Sequence, residues 1–174
     1  ETDQFFSVVN NPLHRCAIRL MSDCGFRLME VINLKCKNIS LERGLIKVVR
    51  GKGGKDRIVP IPRTSKLNML IPVLMGESED HLISHKYDGE KKEFSANAVQ
   101  KWIYKYGAEA FGKNYHKRIH PHLFRHSYAT YLLNKGADLV IVRDNLGHAN
   151  LTSTSIYLHT AVESRKKAPD DIEF

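Results

Sequence analysis

One stretch of the chain decides its fold: Ile119-His120-Pro121-His122-Leu123-Phe124-Arg125-His126-Ser127-Tyr128-Ala129-Thr130-Tyr131-Leu132-Leu133. Pro121 suits the first turn of a helix, where its missing N–H would have no intrahelical partner, and Gly136 offers a stop after the last apolar pair. The pattern therefore predicts a helix over residues 121–135. The residues expected to form its buried stripe are Leu123, Phe124, Ala129, Leu132 and Leu133.

The start of this helix carries a candidate phosphate site. His122 and Arg125 are three residues apart, so the spacing predicts that they are neighbours on the helix surface. A guanidinium offers a planar fork of donors, and a helix N-terminus adds partial positive charge. Together these features favour an anionic ligand.

Composition narrows the class of protein. The chain has 174 residues with 42% hydrophobic content, which suits one domain spanning residues 1–174. A formal charge of +8 and a pI near 9.4 favour nucleic acid as the partner over an acidic membrane surface. No apolar run approaches the ~18 residues of a membrane span, and the first residues are no signal peptide, so we expect a cytoplasmic, DNA-associated protein. Three cysteines without a C-x-x-C pair indicate neither a disulfide framework nor a thiolate metal site.

Helical patterns surround a short β segment. Apolar spacing predicts a helix over residues 12–24 and a second short helix after Gly25, with Arg27 at its start and Glu30 one turn later. Further helices are expected over residues 64–75, where Pro72 must kink or end the helix, after a Ser95 N-cap, and over residues 139–146. A last short helix is expected to follow residue 150.

Three β-branched runs lie between these helices, at residues 39–41, 45–49 and 57–61, and predict an antiparallel three-stranded sheet. We therefore expect a mainly α fold with one small antiparallel sheet. The turn between the second and third strands carries Lys52 and Lys55 among three glycines, so it can present a lysine to a partner. It lacks the G-x-x-x-x-G-K-[ST] spacing of a nucleotide-binding P-loop.

Histidines cluster near the 121–135 helix. His122 and His126 are four apart, but the zinc metalloprotease pattern needs a glutamate directly after the first histidine, and Leu123 stands there. We expect no metal ion and no cofactor.

Five motifs follow one another along the chain: Gly25-Phe26-Arg27-Leu28-Met29-Glu30, the Lys52 hairpin, His122-Leu123-Phe124-Arg125-His126-Ser127-Tyr128-Ala129-Thr130, Leu146-Gly147-His148 and Tyr157-Leu158-His159. In this order they resemble the motifs of the tyrosine recombinase family, the phage integrase and Xer-like catalytic domain, and the resemblance extends over residues 12–160. The resemblance implies that fold, and DNA strand breakage and rejoining through a covalent 3′-phosphotyrosyl intermediate.

The resemblance also implies residue roles. Tyr157 would be the nucleophile, with Arg27 and Arg125 on the non-bridging oxygens and Lys52 as general acid for the leaving 5′-oxygen. The further roles fall to His122 and His148, for phosphate and proton handling, and to Glu30, which would support the nearby cations. From the residues alone, Lys55 is a rival for the acid.

The same resemblance implies partners. Double-stranded DNA would be the substrate, and family members act as tetramers on DNA. Nothing in the chain corresponds to the family's amino-terminal DNA-clamping domain, so we expect an isolated catalytic domain that is monomeric without DNA. Lys101 and Lys105 are candidate DNA contacts on the helix after Ser95.

Two other functions remain open at this stage. A DNA-binding domain of the same fold would need the positive charge but no reacting groups. A relaxing enzyme like type IB topoisomerases would share the chemistry without site-specific synapsis.

Overall fold

A computed structural model describes residues 2–49, 56–115 and 118–147. Within these ranges, two 3₁₀ turns, Cys36–Asn38 and Lys113–Tyr115, accompany the regular elements. The helices are α1 (Thr2–Val8), α2 (Pro12–Cys24), α3 (Leu28–Ile32), α4 (Leu67–Leu74), α5 (Ala96–Phe111), α6 (Pro121–Asn134) and α7 (Leu139–Leu146). The strands are β1 (Ile39–Ser40), β2 (Leu45–Val48), β3 (Arg57–Pro60), β4 (Ser84–Tyr87) and β5 (Glu90–Glu93). The expected mainly α fold with a small antiparallel sheet is confirmed.

Helix α2 is the central element of the core and has the predicted bounds. The side chain of Asn11 accepts hydrogen bonds from the N–H groups of Leu13 and His14, which caps the helix start. The helix packs against α4, α5 and α6. Its fully buried residues, which form the middle of the core, are Cys16, Ala17, Ile18, Leu20, Met21 and Cys24.

The predicted three-stranded sheet is present in the order β1-β2-β3, and both pairings are antiparallel. Ile46 lies opposite Ile39 on one side and Val59 on the other, and all three are buried. The last pair of the β2–β3 hairpin joins Val48 to Arg57. Val48 and Arg57 are therefore the strand residues between which the segment with Lys52 and Lys55 lies in the sequence.

Three parts of the fold differ from the sequence-based expectations. Helix α4 begins at Leu67, three residues later than predicted, and Pro72 lies inside it without ending it. Helix α1 and the β4–β5 hairpin were not predicted. All four residues of β5 are exposed, so it has no apolar alternation, and only Asp88-Gly89, both with positive φ, marks the turn.

Helix α6 confirms the predicted element but corrects its faces. Phe124, Ala129 and Leu133 are buried, whereas Leu123 is 38% exposed and was wrongly placed in the buried stripe. Arg125 was expected on the surface beside His122, but it is only 4% exposed. The helix therefore turns its arginine into the protein and leaves His122 outside.

Gly25 ends α2 in the left-handed conformation, with φ of 68°. A Cβ at this position would clash with Cδ1 of Tyr128 and would lie 3.0 Å from Cδ2 of Leu146. The close approach of α2 to α6 and α7 therefore requires glycine here.

We expect Gly25→Ala to lower the free energy of unfolding by about 2–5 kcal/mol, because backbone strain and overpacking add. Gly136→Ala is the matched control: φ is also positive there, at 84°, but nothing lies within 4 Å of an added Cβ. It should cost about 1–2 kcal/mol. Urea denaturation of both variants measures the difference, and equal losses would show that the contact with Tyr128 imposes no constraint.

Across residues 2–49, 56–115 and 118–147, the helices are all too short or too polar to serve as a membrane span.

Candidate active site

The site is built around the carboxylate of Glu30, in the first turn of α3. Arg27 is the N-cap of this helix, and its backbone N–H donates to Oε2 of Glu30 at 2.8 Å. The Arg27 guanidinium reaches the same carboxylate, with Nη1 2.9 Å from Oε1. The short helix therefore fixes Arg27 and Glu30 as one unit.

Arg57, at the start of β3, binds the same carboxylate. Its Nη1 and Nη2 donate to Oε1 and Oε2 of Glu30 at 2.8 and 2.7 Å, a bidentate pair. Its Nε donates to the backbone carbonyl of Asn145 at 2.8 Å. With side-chain exposures of 10% for Arg57 and 8% for Glu30, the pair is almost fully enclosed.

Arg125 approaches from α6 and completes the group. Its Nη1 lies 4.0 Å from Oε2 of Glu30. Its two terminal nitrogens donate to the backbone carbonyls of Gly25 and Leu146. Arg125 therefore ties the end of α2 to the end of α7 while facing the shared carboxylate.

Three consecutive backbone carbonyls at the carboxyl end of α7 each accept a hydrogen bond from one of the three arginines. Asn145 accepts from Arg57, Leu146 from Arg125, and Gly147 from Nη2 of Arg27 at 3.0 Å. Carbonyls at a helix C-terminus have no intrahelical partners and carry partial negative charge, so cations are favoured there. The arrangement fixes the backbone up to Gly147, the residue that precedes His148 in the L-G-H motif.

Charge in this group is unbalanced. Three guanidiniums within 4.0 Å of one carboxylate leave two net positive charges in a largely buried setting. Burial alone would raise the pKa of Glu30, but hydrogen bonds and charges from Arg57 and Arg27 outweigh it and hold the pKa below its usual range. Glu30 is therefore ionised at neutral pH.

A lowered pKa makes Glu30 a source of pH-dependent stability. The contribution is fully present above the unfolded-state pKa of about 4.3 and is lost as the pH falls through the lower folded-state value. Urea unfolding from about pH 7 to about pH 3 should show this acid loss in the native chain and a smaller loss in Glu30→Gln. Glu109→Gln, at an exposed position on α5, is the control and should keep the native profile. Identical profiles for the native chain and Glu30→Gln would contradict the assignment.

The other predicted site residues divide into two groups. His122 is exposed on the first turn of α6, one turn before Arg125, and Lys101 and Lys105 are exposed on α5. The expected phosphate and proton handling by His122 and the expected DNA contacts of Lys101 and Lys105 stay predictions. Lys52, Lys55, His148 and Tyr157 lie outside the described residues, so their expected placement beside the arginines also stays a prediction.

Arg57 is a member of this site that sequence reasoning missed. In the structure β3 alternates, with Ile58 and Pro60 exposed and Val59 buried, so Arg57 lies on the inward face. The sequence carries no clear signal for this, because both Ile58 and Val59 are apolar. A charge on an inward face requires a buried partner, and Glu30 provides it.

A groove of about 330 Å³ opens beside Arg27 and Glu30, between α3 and β2, and Met29, Lys47 and Val49 contribute to its walls. Of the three arginines, Arg27 is the one that lines this groove. Over residues 2–49, 56–115 and 118–147, histidine, cysteine and acidic side chains form no group of three or more that could hold a metal ion.

The chain belongs to the phage integrase family, whose family model matches residues 2–164. A tyrosine recombinase of Thermosipho africanus is 37% identical over 162 residues, 92% of this chain and 54% of that protein. Tyrosine recombinase XerA of Thermococcus kodakarensis is 36% identical over 158 residues, 90% of this chain and 54% of that protein. Tyrosine recombinase XerC of Yersinia pestis is 37% identical over 166 residues, which are 91% of this chain and 53% of that protein. The chain spans about half the length of these relatives.

Solved structures share the fold. The crystal structure of XerA recombinase aligns with a TM-score of 0.77 at 23% identity, over 99% of this chain and 63% of that one. XerH recombinase bound to difH substrate aligns with a TM-score of 0.65 at 24% identity, over 98% of this chain and 51% of that one. The Tn1549 transposon integrase in complex with transposon right end DNA aligns with a TM-score of 0.64 at 18% identity, over 94% of this chain and 62% of that one. The family resemblance noted in the sequence is confirmed.

Proposed function

We propose that this chain is the catalytic domain of a tyrosine site-specific recombinase, which cleaves and rejoins DNA strands through a covalent 3′-phosphotyrosyl intermediate. The observation that carries the proposal is the group of three arginines around Glu30 at the end of α7, in a member of the phage integrase family. A protein that only bound DNA would not need to bury cations around one carboxylate, because phosphate contacts can be made from the surface.

The charge of the arginine group suits the proposed reaction. Attack of a tyrosine oxygen on a phosphodiester gives a pentacoordinate phosphorane with one more negative charge than the ground state. Fixed cations therefore stabilise the transition state more than the substrate, and removing one such donor typically costs about 10²–10³ in rate. The two excess positive charges around Glu30 are held by backbone carbonyls and need no rearrangement during the reaction.

Proton transfers complete the proposed mechanism. A tyrosine hydroxyl has a reference pKa of about 10, so Tyr157 needs an electropositive site or a base, which His122, His148 and the arginines supply. The Tyr157 oxygen bonds to phosphorus, the bond to the 5′-oxygen breaks, and Lys52 protonates the leaving oxygen. Lys55 is the alternative acid. Rejoining reverses these steps, and the phosphotyrosine bond conserves the energy of the original link.

The partners follow from the same proposal. We propose double-stranded DNA as the substrate, in line with the net charge of +8 and with the DNA complexes of the XerH and Tn1549 neighbours. We further propose that residues 1–174 act as one catalytic domain, tetrameric on DNA as part of the whole protein and monomeric when alone.

Trapping tests the proposal without knowledge of the target site. The chain is incubated with a library of nicked duplexes with randomised sequence, in which the short 5′-hydroxyl fragment released by cleavage diffuses away and prevents rejoining. A detergent-resistant protein–DNA adduct whose DNA shares one sequence is the expected result. Binding with no adduct from any duplex would overturn the proposal in favour of a DNA-binding domain. Adducts with no common sequence, together with plasmid relaxation, would favour a topoisomerase-like activity.

A further inference from the structure

All three nitrogens of the Arg57 guanidinium donate hydrogen bonds to acceptors of the protein itself. Of the five N–H donors of its guanidinium, one on each nitrogen is engaged: Nε by Asn145 O, and Nη1 and Nη2 by the two oxygens of Glu30. The side chain of Arg57 is 10% exposed. Arg57 therefore holds Glu30 and the backbone at Asn145 in place.

The groups that Arg57 holds also fix the position of Arg27. Glu30 receives two hydrogen bonds from Arg27, one from its backbone N–H and one from Nη1. Because Arg57 occupies both oxygens of that carboxylate, it fixes the direction in which Glu30 presents Arg27. Arg57 also fixes Asn145, one residue before the carbonyl that binds Arg125 and two before the carbonyl that binds Arg27.

Steric contact reinforces this placement. Gly147 adopts φ of 61°, and a Cβ there would lie 3.0 Å from Nη1 and 3.3 Å from Cζ of Arg57. The guanidinium thus packs directly against the last turn of the backbone before His148.

We propose that Arg57 is a positioning residue of the reaction, which aligns Arg27 and the end of α7 for charge stabilisation at the scissile phosphate. This inference rests on the proposed function. It assigns Arg57 a role through Glu30 and the α7 carbonyls, and not through the lysine-bearing turn, which precedes Arg57 in the sequence.

The test compares Arg57→Met and Arg57→Lys with the native chain in single-turnover cleavage of the duplex recovered from the nicked library. We expect Arg57→Met to cleave about 10²-fold more slowly, as a small misplacement of reacting groups can cost that much. Arg57→Lys keeps the charge but lacks the bidentate fork, so about a 10-fold loss is expected. Arg43→Met, at an exposed arginine between β1 and β2, is the matched control and should cleave at the native rate.

Modified phosphates separate positioning from a loss of folded protein. With a neutral methylphosphonate at the scissile link the phosphorane carries less negative charge, so the defect of Arg57→Met should shrink, in parallel with that of Arg27→Ala. A 5′-bridging phosphorothiolate, whose thiolate leaves without an acid, should not relieve it. DNA affinity should stay within about two-fold of the native value, because only 10% of the Arg57 side chain is exposed.

The other possible results contradict either the positioning role of Arg57 or the proposed function. A defect equal on all three links and accounted for by the unfolded fraction in thermal melts would make Arg57 a purely structural residue. If only the phosphorothiolate relieves the cleavage defect of Arg57→Met, Arg57 acts through the general acid on the lysine-bearing turn. That result would overturn the inference. A native chain that cleaves none of the links refutes the proposed function itself, whereas native cleavage with fully active Arg57 variants refutes only the positioning role.

Discussion

Tyr157→Phe should yield no covalent adduct on any nicked duplex while retaining the native affinity for DNA. The phenyl ring keeps the shape of tyrosine but has no oxygen to attack phosphorus, so a covalent intermediate cannot form. Removal of an essential nucleophile costs about 10⁶ in rate in a well-studied hydrolase, which would put any residual cleavage here below detection. Detergent gels and filter binding on the same samples measure the two properties separately.

A second tyrosine provides the control. Tyr131, on α6, is 59% exposed, and Tyr131→Phe removes the same hydroxyl from another surface. It should form adduct at the native rate. Adduct formation by Tyr157→Phe, with loss in another tyrosine variant, would assign the nucleophile to that other residue and would refute the role given to Tyr157.

Arg125→Lys is expected to reduce cleavage by about 10²–10³-fold. Lysine keeps the positive charge, but its single nitrogen cannot span the carbonyls of Gly25 and Leu146 that the Arg125 fork joins. The larger change, Arg125→Ala, would also leave these buried carbonyls without donors and should destabilise the fold by about 3–5 kcal/mol. The lysine variant therefore gives the cleaner measurement of catalysis.

Its measurement pairs single-turnover cleavage with urea unfolding at one temperature. Arg63→Lys, at an exposed position after β3, is the control and should match the native chain in both. Native-like cleavage by Arg125→Lys would show that charge alone suffices at this position. The requirement for a fork across α2 and α7 would then be wrong.

Local signals predicted most of the fold. Asn11 and Gly25 delimit α2, Ser95 caps α5 with a 3.2 Å hydrogen bond to the Ala98 N–H, and Pro121 begins α6, as the sequence indicated. Capping and turn chemistry act within a few residues, so they can be read without knowledge of tertiary contacts. The β4–β5 hairpin was missed because its strands are largely exposed and lack the alternation that burial imposes.

The site was harder to predict because its contacts span the chain. The motifs identified Arg27, Glu30 and Arg125, but helical spacing alone placed Arg125 on the surface beside His122. Its burial depends on the carbonyl of Gly25, 100 residues away, and on that of Leu146. Arg57 was overlooked for the same reason: Glu30 is 27 residues from it and Asn145 is 88. Pairings at such distances are set by tertiary packing.

The convergence of three arginines on residues 145–147 has a consequence for biosynthesis. A chain on the ribosome carries Arg27, Arg57 and Arg125 well before their carbonyl acceptors emerge, the first being separated from its acceptor by 120 residues. Until that last turn arrives, the like charges repel one another with Glu30 as their shared counterion. A polypeptide that ends before residue 145 therefore lacks the backbone acceptors that hold the three arginines together.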